Sequence, residues 1–323
     1  MRGTTLIYSN KKNEKNYKYD CISNENFIVY KNFNKKFEKE KIFNESEELI
    51  VIIDGVILNN NKLNIEYSSK DNFELVSKMY SKKGINFVND LRGNFYGIVY
   101  DKVKKELYVF TNHLGNKPVY YYFNKEEECF VVSSDLFELV KALKNLNIKV
   151  SLNELGAYYM LTFGYMISDS TLIKEIKRLE PGSILRFKDN KIELKQYYFL
   201  DNENYLKDSE EKIIQNMNEL FKNAVDMAFR KDRENGYRHV AYLSGGLDSR
   251  MISVVAKSLG YDDITTITFS ENYSRDEKIA REIASDFKLN NIFKSLNNGE
   301  FLKEIDKAVK QILVKIYIQA QFI

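Results

Sequence analysis

A six-residue glycine loop between a strand pattern and a helix pattern is the feature that most constrains how this chain can fold. The loop is Ser244-Gly245-Gly246-Leu247-Asp248-Ser249, and the apolar run before it, His239–Leu243, has the length and content of a buried strand. After the loop, apolar residues recur at helical spacing, at Met251, Ile252, Val255, Ala256 and Leu259. A buried strand that passes directly into a helix is typical of an α/β domain.

The loop predicts a site for an anionic polyphosphate. A strand that enters a helix through two glycines leaves unpaired backbone N–H groups at the positive end of the helix, and Ser244 and Ser249 add hydroxyl groups. Asp248 would repel phosphate unless a cation lay between them, so we expect it to bind Mg²⁺. The sequence has no GxxxxGK[ST] motif, so this is not a Walker-type loop. The alternative interpretation is a glycine turn without a ligand.

Composition argues against several other classes of protein. With 323 residues the chain can form two domains, and its net charge of +3 gives no reason to expect nucleic acid or a membrane as a partner. Cys21 and Cys129 have no CxxC or histidine partner nearby, so a zinc site is not expected, and reduced thiols fit the cytoplasm. No apolar run approaches the ~20 residues that span a bilayer, and the first residues do not predict a secretory signal.

The first half of the chain has the pattern of an α+β layer domain. Segments rich in β-branched and aromatic residues predict strands at Thr4–Tyr8, Phe27–Tyr30, Leu49–Ile53, Phe95–Tyr100, Glu106–Thr111, Val119–Phe123 and Phe130–Val132. Helical spacing predicts helices at Phe73–Tyr80 and Asp135–Leu143. The charged segment Lys31–Glu48 is interpreted as a solvated loop. A connecting region from Leu152 leads through the turn at Pro181-Gly182 into two hairpin strands that end near Tyr198.

In the second half strands and helices alternate, which predicts a parallel sheet. Asp208 with Glu211 resembles a capping box for an amphipathic helix. The apolar face of that helix is predicted to consist of Ile213, Met217, Leu220, Phe221, Ala224 and Ala228. Ile264–Phe269 predicts the next strand, Ser274 with Glu277 a second capping box, and Phe301–Ile316 a further helix.

Ligands of such sheets bind outside the carboxyl ends of the strands. The dipeptides Leu243-Ser244 and Phe269-Ser270 both stand at such ends. The first would lie beside the phosphates, and the second could flank a purine.

Several segments together resemble the asparagine synthetase family, whose members pair an N-terminal class II glutamine amidotransferase domain with an ATP-pyrophosphatase domain. The glycine loop matches the family's SGGLDS motif, and Thr268–Arg281 resembles the strand and the Asp-then-Ala-Arg helix that follow it. Leu91–Gly97 with Asp101, and Leu114–Tyr121, resemble the LDGxFAFxxYD and LGxKPLYY motifs of the glutaminase domain. Smaller markers match at Ser133-Ser134-Asp135 and Pro181-Gly182.

The resemblance implies a fold in two parts. Residues 1–200 would form a four-layer (αββα) Ntn-like domain of α+β class, similar to a glutamine amidotransferase. Residues 205–323 would form the N-terminal part of an α/β parallel-sheet ATP-pyrophosphatase (PP-loop) domain. The family's second acidic glycine loop and a later lysine have no match after Phe301, so we expect this domain to be incomplete.

The resemblance also implies a reaction that uses ATP and Mg²⁺. ATP would activate a carboxylate, aspartate or another acid, as an acyl-adenylate; pyrophosphate would leave, and ammonia or another amine would attack. Pyrophosphate and Mg²⁺ would be held by Ser244, Gly245, Gly246, Leu247, Asp248 and Ser249, with Asp248 as the metal ligand. Leu243 and Phe269 would contact adenosine.

Two departures from the family pattern predict that glutamine hydrolysis is lost. The family's nucleophile is a cysteine that becomes N-terminal when the initiator methionine is removed, whereas Arg2, which has no nucleophilic chemistry at neutral pH, stands in that place. The family's Asn-Gly-Glu, which supplies an oxyanion donor, reads Asp54-Gly55-Val56 here, and a carboxylate cannot donate. Cys21 could replace the nucleophile only if cleavage removed the predicted strand Thr4–Tyr8.

Three interpretations of the function therefore stay open. The chain is an amide-forming ligase that lacks glutaminase and whose synthetase domain a second polypeptide could complete; it is a relative of β-lactam synthetase or peptide cyclase type; or it is a non-catalytic nucleotide-binding remnant. A fragment, a split or frame-shifted gene product and a shortened descendant are equally compatible with its length.

Three further polar residues each allow two interpretations, and a fourth allows one. Arg250 is either a solvated residue of the first helical turn or a ligand for a substrate carboxylate or phosphate. Asp276 and Glu277 stabilise a helix start or bind a metal. His113, beside a turn and without a Ser or Cys partner in its sequence context, is interpreted as structural.

Overall fold

The computed structural model describes residues 3–9, 21–23, 27–31, 38–203 and 205–304. The chain divides between Leu200 and Asp201 into two compact units, called here the first unit and the second unit. Within the described ranges, no helix is both long and apolar enough to cross a bilayer.

The first unit contains two six-stranded sheets in which neighbouring strands are antiparallel. Its strands are β1 Thr4–Ser9, β2 Cys21–Ser23, β3 Phe27–Lys31, β4 Ile42–Glu45, β5 Leu49–Ile57, β6 Gly93–Asp101, β7 Glu106–Thr111, β8 Tyr120–Asn124, β9 Cys129–Ser133, β10 Lys177–Arg178, β11 Ser183–Lys188 and β12 Lys191–Gln196. Its helices are α1 Asn60–Glu66, α2 Asn72–Lys83, α3 Leu136–Asn145 and α4 Glu154–Phe163. The strand orders are β10-β8-β9-β1-β3-β2 and β12-β11-β7-β6-β5-β4.

The side-chain alternation of β5 shows how these layers pack, since successive residues of a strand point to opposite faces. Ile50 and Ile52 lie in a buried cluster that also contains Phe130 of the first sheet. Val51 and Ile53 lie in a second cluster with residues of α1 and α2. A third cluster joins the other side of the first sheet to α3. The α+β class predicted for this half is confirmed.

Two parts of the first unit differ from the sequence predictions. The region after Leu152 was expected to be a connection, but it contains the helix α4, which is capped by Asn153 and ends at Gly164 in the left-handed conformation. No charged residue follows Glu154 within this helix, so the sequence has no polar face from which helical spacing can be read. The prediction of a solvated loop over Lys31–Glu48 is wrong at β4, which pairs with β5 and buries Ile42.

The second unit contains a parallel three-stranded sheet, as predicted. Its elements are α5 Glu210–Asn235, β13 His239–Tyr242, α6 Leu247–Ser258, β14 Ile264–Ser270, α7 Arg275–Asp286 and β15 Asn290–Ser295, and the strand order is β13-β14-β15. Of the helix predicted at Phe301–Ile316, the part beyond Glu304 lies outside the described residues, and Asn297–Glu304 forms 3-10 turns.

The helix caps of this unit were predicted with mixed success. Ser274 caps α7, because its Oγ accepts from Glu277 N at 3.1 Å, as expected. The cap of α5 is Ser209, whose Oγ accepts from Lys212 N at 3.3 Å. The capping box predicted at Asp208 with Glu211 is therefore wrong by one residue, because the helix begins at Glu210.

The two faces of the parallel sheet are covered to different degrees. On one face, side chains such as Leu243 and Ile264 pack with residues of the three helices in a single buried cluster. On the other face Val240, Tyr242, Phe269 and Ile292 are each more than half exposed. These four residues are called the open sheet face. Parallel sheets of α/β proteins normally have both faces covered, so this face is unusual for its class.

Candidate functional site

The glycine loop lies at the carboxyl end of β13, as its sequence pattern predicted. Leu243 N donates to Ile267 O at 3.0 Å, and Leu243 O accepts from Thr268 Oγ1 at 2.8 Å. These bonds join the residue before the loop to β14. The helix α6 then begins at Leu247, with Gly246 as its cap residue in extended conformation. The first backbone N–H groups of α6 therefore point out of the helix at the edge of the sheet.

The two serine hydroxyls of the loop brace its conformation. Ser244 Oγ lies 3.0 Å from Ser249 Oγ, and Ser249 Oγ accepts from Ser244 N at 3.0 Å. Gly246 N donates to Ser244 Oγ at 3.2 Å. The hydroxyls were expected to face a phosphate; in the structure they are engaged with each other and with the loop backbone.

Asp248 is the loop residue with the chemistry to bind a cation. It lies exposed in the first turn of α6, and its carboxylate makes no hydrogen bond or ion pair within the described part of the chain. The described residues contain no group of three or more His, Cys, Asp or Glu that could hold a metal ion. Mg²⁺ is commonly bound through one or two carboxylates together with phosphate oxygens and water. A single unpaired carboxylate beside backbone N–H groups that could bind phosphate oxygens therefore fits Mg²⁺ that arrives with a polyphosphate.

Two charged side chains contact Gly245 and Gly246 in ways that the sequence did not predict. Asp276, from the first turn of α7, accepts from Gly245 N through Oδ1 at 3.1 Å. Arg250 donates from Nη2 to Gly245 O at 3.1 Å and from Nε to Gly246 O at 3.2 Å. Asp276 could have been suspected from topology alone, because it follows the carboxyl end of β14, the strand next to β13. Glu277, in contrast, pairs with Arg281 of its own helix at 2.8 Å.

Phe269 lies on the open sheet face near the end of β14. Its ring centroid is 6.2 Å from that of Tyr242 on the neighbouring strand, and both rings are exposed. The sequence predicted an adenosine contact at Phe269, and the structure places a second aromatic residue, Tyr242, beside it.

The position of the family's glutaminase nucleophile, Arg2, lies outside the described residues. Its neighbour Gly3 is packed so closely that an added Cβ would lie 2.0 Å from Ser134 Oγ. Thr4 N lies within 3.2 Å of two acceptors, Tyr96 Oη and Ser134 Oγ. The start of β1 is therefore held against the Ser134 marker and β6.

Asp54, at the position where the resemblance places the family's oxyanion donor, is a buried, ion-paired carboxylate. It lies opposite Tyr96 in the β5–β6 ladder, with Oδ2 3.2 Å from Lys117 Nζ and Oδ1 3.8 Å from Lys41 Nζ. An aspartate side chain has no N–H, so it cannot replace the amide donor of an asparagine. Burial, with the charge of Asp54 as a second cause, raises the pKa of the Tyr96 hydroxyl. No oxyanion donor is therefore supplied by this side chain.

Three of the family-like segments of the first unit form hydrogen bonds with Asn112. Its carbonyl oxygen accepts from Gly115 N and Gly182 N at 3.0 Å each, and its Nδ2 donates to Gly93 O at 3.0 Å. His113 beside it packs edge-on against Tyr198, with ring centroids 4.8 Å apart, and burial lowers the pKa of its imidazole. These contacts give His113 a packing role.

Comparison with known proteins identifies relatives for both units. A family model described as a glutamine amidotransferase domain matches residues 37–198, and one described as asparagine synthase matches residues 216–321. A Methanocaldococcus jannaschii protein that bears the name of a glutamine-hydrolysing asparagine synthetase is 28% identical over 83% of this chain and 52% of its own length. Asparagine synthetase 1 of Bacillus subtilis is 27% identical (82% and 42%), and asparagine synthetase B of Escherichia coli is 25% identical (68% and 34%).

The chain spans about half the length, or less, of these relatives. Its glutamine amidotransferase match alone covers half of the chain, and the asparagine synthase match includes the whole glycine loop. This chain therefore belongs to the asparagine synthetase family.

Proposed function

We propose that this chain provides the nucleotide-binding part of an ATP-dependent, amide-forming ligase of asparagine synthetase type. In this reaction aspartate or another acid is activated as an acyl-adenylate, and an amine then attacks. The observation that carries the proposal is the loop between β13 and α6, where outward-pointing N–H groups and the unpaired carboxylate of Asp248 lie together at the edge of the parallel sheet. The names of the relatives support the same reaction class.

The chemistry of the proposal follows from the start of α6. When the bond between the α- and β-phosphates breaks, negative charge grows on the departing pyrophosphate. The N–H groups and the helix dipole at this end are already oriented and stabilise that charge without reorganisation. Mg²⁺ bound by Asp248 would neutralise part of the same charge. Phe269 would contact adenosine with its exposed ring. Leu243, predicted as a second contact, has its side chain buried against the helices on the opposite face of the sheet and does not flank the base.

Titration of the protein with ATP and Mg²⁺ by calorimetry tests the proposal. Replacing Asp248 with alanine removes a charged contact worth roughly 1.5–3 kcal/mol, so affinity should fall by about tenfold or more. Asp286→Ala, at the exposed end of α7, is the matched control and should bind like the wild type. Equal affinity of the wild type and Asp248→Ala, or no binding by either, would refute a phosphate site at this loop.

We also propose that glutamine hydrolysis is lost. Arg2 offers no nucleophile, and the ion pair between Asp54 and Lys117 leaves no amide donor at the oxyanion position. Purified protein should release no glutamate from glutamine in an assay in which a glutamine-hydrolysing relative is active. Release at a rate comparable with that relative would reject this part of the proposal.

A second polypeptide segment that completes the synthetase domain is part of the proposal. The open sheet face supports it, because Val240, Tyr242, Phe269 and Ile292 present apolar surface where a parallel sheet is normally covered. The reading frame directly downstream should encode the second acidic glycine loop of the family. If no such sequence lies there, a non-catalytic nucleotide-binding protein becomes the better interpretation.

The finer fold assignments also belong to this proposal. The packing of helices on the outer sides of two stacked sheets supports an αββα, Ntn-like arrangement for residues 1–200, and the parallel sheet supports an ATP-pyrophosphatase domain for residues 205–323. Neither cysteine forms a disulfide within the described part of the chain, Cys21 being exposed and Cys129 buried, which supports a reducing compartment such as the cytoplasm.

A further inference from the structure

The first turns of α6 and α7 meet at Gly245. Besides the hydrogen bond from Gly245 N to Asp276 Oδ1, the backbones themselves are close: an added Cβ on Gly245 would lie 2.3 Å from Asp276 Oδ1 and 3.2 Å from Asp276 Cα. The contact is therefore built into the backbone of both segments. It places a negatively charged side chain directly on a backbone donor of the glycine loop.

Asp276 is not needed as a cap of its own helix. The start of α7 is already served by Ser274, which accepts from Glu277 N at 3.1 Å. Glu277 in turn accepts from Tyr273 N at 2.6 Å. Because Ser274 and Glu277 make these capping bonds, Asp276 does not cap its own helix, and its side chain reaches across to the loop instead.

Arg250 holds the peptide groups on the other side of Gly245. Its guanidinium donates to Gly245 O and Gly246 O, so the N–H of Gly245 contacts a carboxylate while its carbonyl oxygen contacts a cation. The backbone on both sides of Gly245 is thus held by charged side chains. Any anion that uses the Gly245 N–H must replace the Asp276 carboxylate.

We propose that Asp276 makes the loop selective for polyphosphate that carries Mg²⁺ over the free anion. In the structure its carboxylate accepts from the Gly245 N–H that a phosphate oxygen would use, and it repels an anion without a cation. When Mg²⁺ arrives with the phosphates, Asp276 provides a second carboxylate at the loop besides Asp248, so repulsion becomes attraction. This inference rests on the proposed function, because it assumes that the loop binds phosphate.

Binding of inorganic pyrophosphate, measured by calorimetry in EDTA and in excess Mg²⁺, tests this inference. Asp276→Asn keeps the shape and an oxygen acceptor but removes the charge. In EDTA this variant should bind pyrophosphate at least fivefold more tightly than the wild type, and in Mg²⁺ the gain should vanish or reverse. Asp286→Asn, on the same helix but far from the loop, should match the wild type in both conditions. Circular dichroism checks that each variant is folded.

The possible results separate this inference from the proposed function. If the wild type binds pyrophosphate in Mg²⁺ and Asp276→Asn shows no gain in EDTA, selectivity by Asp276 is refuted and the phosphate site stands. If the wild-type protein binds pyrophosphate equally well with and without Mg²⁺, the inference also fails. If neither protein binds pyrophosphate or ATP in either condition, the proposed function fails together with it.

Discussion

The two units of this chain bury their apolar residues to very different degrees. In the first unit, buried clusters lie between the two sheets and on both outer sides. In the second unit the described residues form one buried cluster, on one side of the sheet. Two phenylalanines on interior strands illustrate the contrast: Phe130 on β9 is fully buried, whereas Phe269 on β14 is 51% exposed.

The comparison shows that a complete core and an intact site are separate properties. The first unit has the complete core, yet its site residue Asp54 is locked in an ion pair with Lys117 where the family has an amide. The second unit has an uncovered sheet, yet all six residues of its glycine loop match the family motif. Packing preserves a fold whether or not its site is used. Under the proposed function, the loop rather than the site of the first unit would carry the chemistry.

The largest expected effect is the difference between two matched substitutions, Phe130→Ala and Phe269→Ala. Phe130 stacks on Phe187 with ring centroids 4.8 Å apart inside the core. Its truncation should lower the free energy of unfolding of the first unit by about 3–5 kcal/mol, since it removes buried area and leaves a cavity. Phe269→Ala should change that of the second unit by less than about 0.5 kcal/mol, because much of the ring is already solvated.

Hydrogen exchange followed by mass spectrometry measures both effects, since it reports each unit separately. The first unit should lose protection across both sheets in Phe130→Ala, and the second should keep its protection in Phe269→Ala. If Phe269→Ala instead destabilised the second unit by more than about 2 kcal/mol, the open sheet face would be covered in solution, and the contrast between the units would be lost.

The predictable elements of the fold are those whose apolar residues recur at a clear period and that have both an apolar and a polar face. Strands such as β7 were predicted with the observed bounds, and the alternation of strand and helix predicted the parallel sheet. The helix α4 was missed because its face pattern is uniformly apolar. The helix α5 was predicted, but its buried apolar residues are Val225 and Phe229, while Met217 and Leu220 of the expected apolar face are exposed. Periodicity shows which residues could be buried, but only packing partners decide which ones are.

The site was predictable as far as it is local in sequence. The position of the loop between β13 and α6 followed from consecutive residues. The contact between Gly245 and Asp276 spans 31 positions, and it depends on how two parallel strands bring the ends of their following helices together. Even Arg250, five residues from Gly245, was not placed on the loop carbonyls, because a long side chain has many rotamers and the sequence does not select among them.

A smaller effect is expected from acid, and it should differ in sign between the units. In the first unit Glu106 is buried, and Oε1 accepts from Arg186 Nη2 at 2.7 Å and from Lys188 Nζ at 2.9 Å. Burial alone raises the pKa of this carboxyl, but the hydrogen bonds, first that from Arg186, outweigh it and lower the pKa to about 2. In the second unit burial raises the pKa of the Asp232 carboxyl, and the hydrogen bond with His239 opposes this only in part.

The sign of each contribution follows from these directions. Because the pKa of Glu106 is lowered on folding, its ionised form stabilises the folded first unit above the ordinary value of 4.5, and this contribution is lost as the pH falls toward about 2. Because the pKa of Asp232 is raised, its protonated form is the one that folding favours, and that contribution is lost as the pH rises through the raised pKa. A fall in pH should therefore destabilise the folded first unit through Glu106 and stabilise the folded second unit through Asp232.

Urea denaturation of Glu106→Gln at a series of pH values, followed by circular dichroism, tests this difference. Near neutral pH the variant should lose roughly 1–3 kcal/mol relative to the wild type, because hydrogen bonds to a buried charge are removed. The free energies of unfolding of the two proteins should converge as the pH falls, since Glu106 of the wild type then becomes protonated.

Glu193→Gln is the matched control. Glu193 pairs with the other nitrogen of Arg186 at 2.8 Å but is mostly exposed, so less than about 0.5 kcal/mol should be lost. A Glu106→Gln deficit that stayed constant down to about pH 2 would show that shape rather than charge stabilises the contact between β7 and β11. Acid would then not distinguish the two units through Glu106.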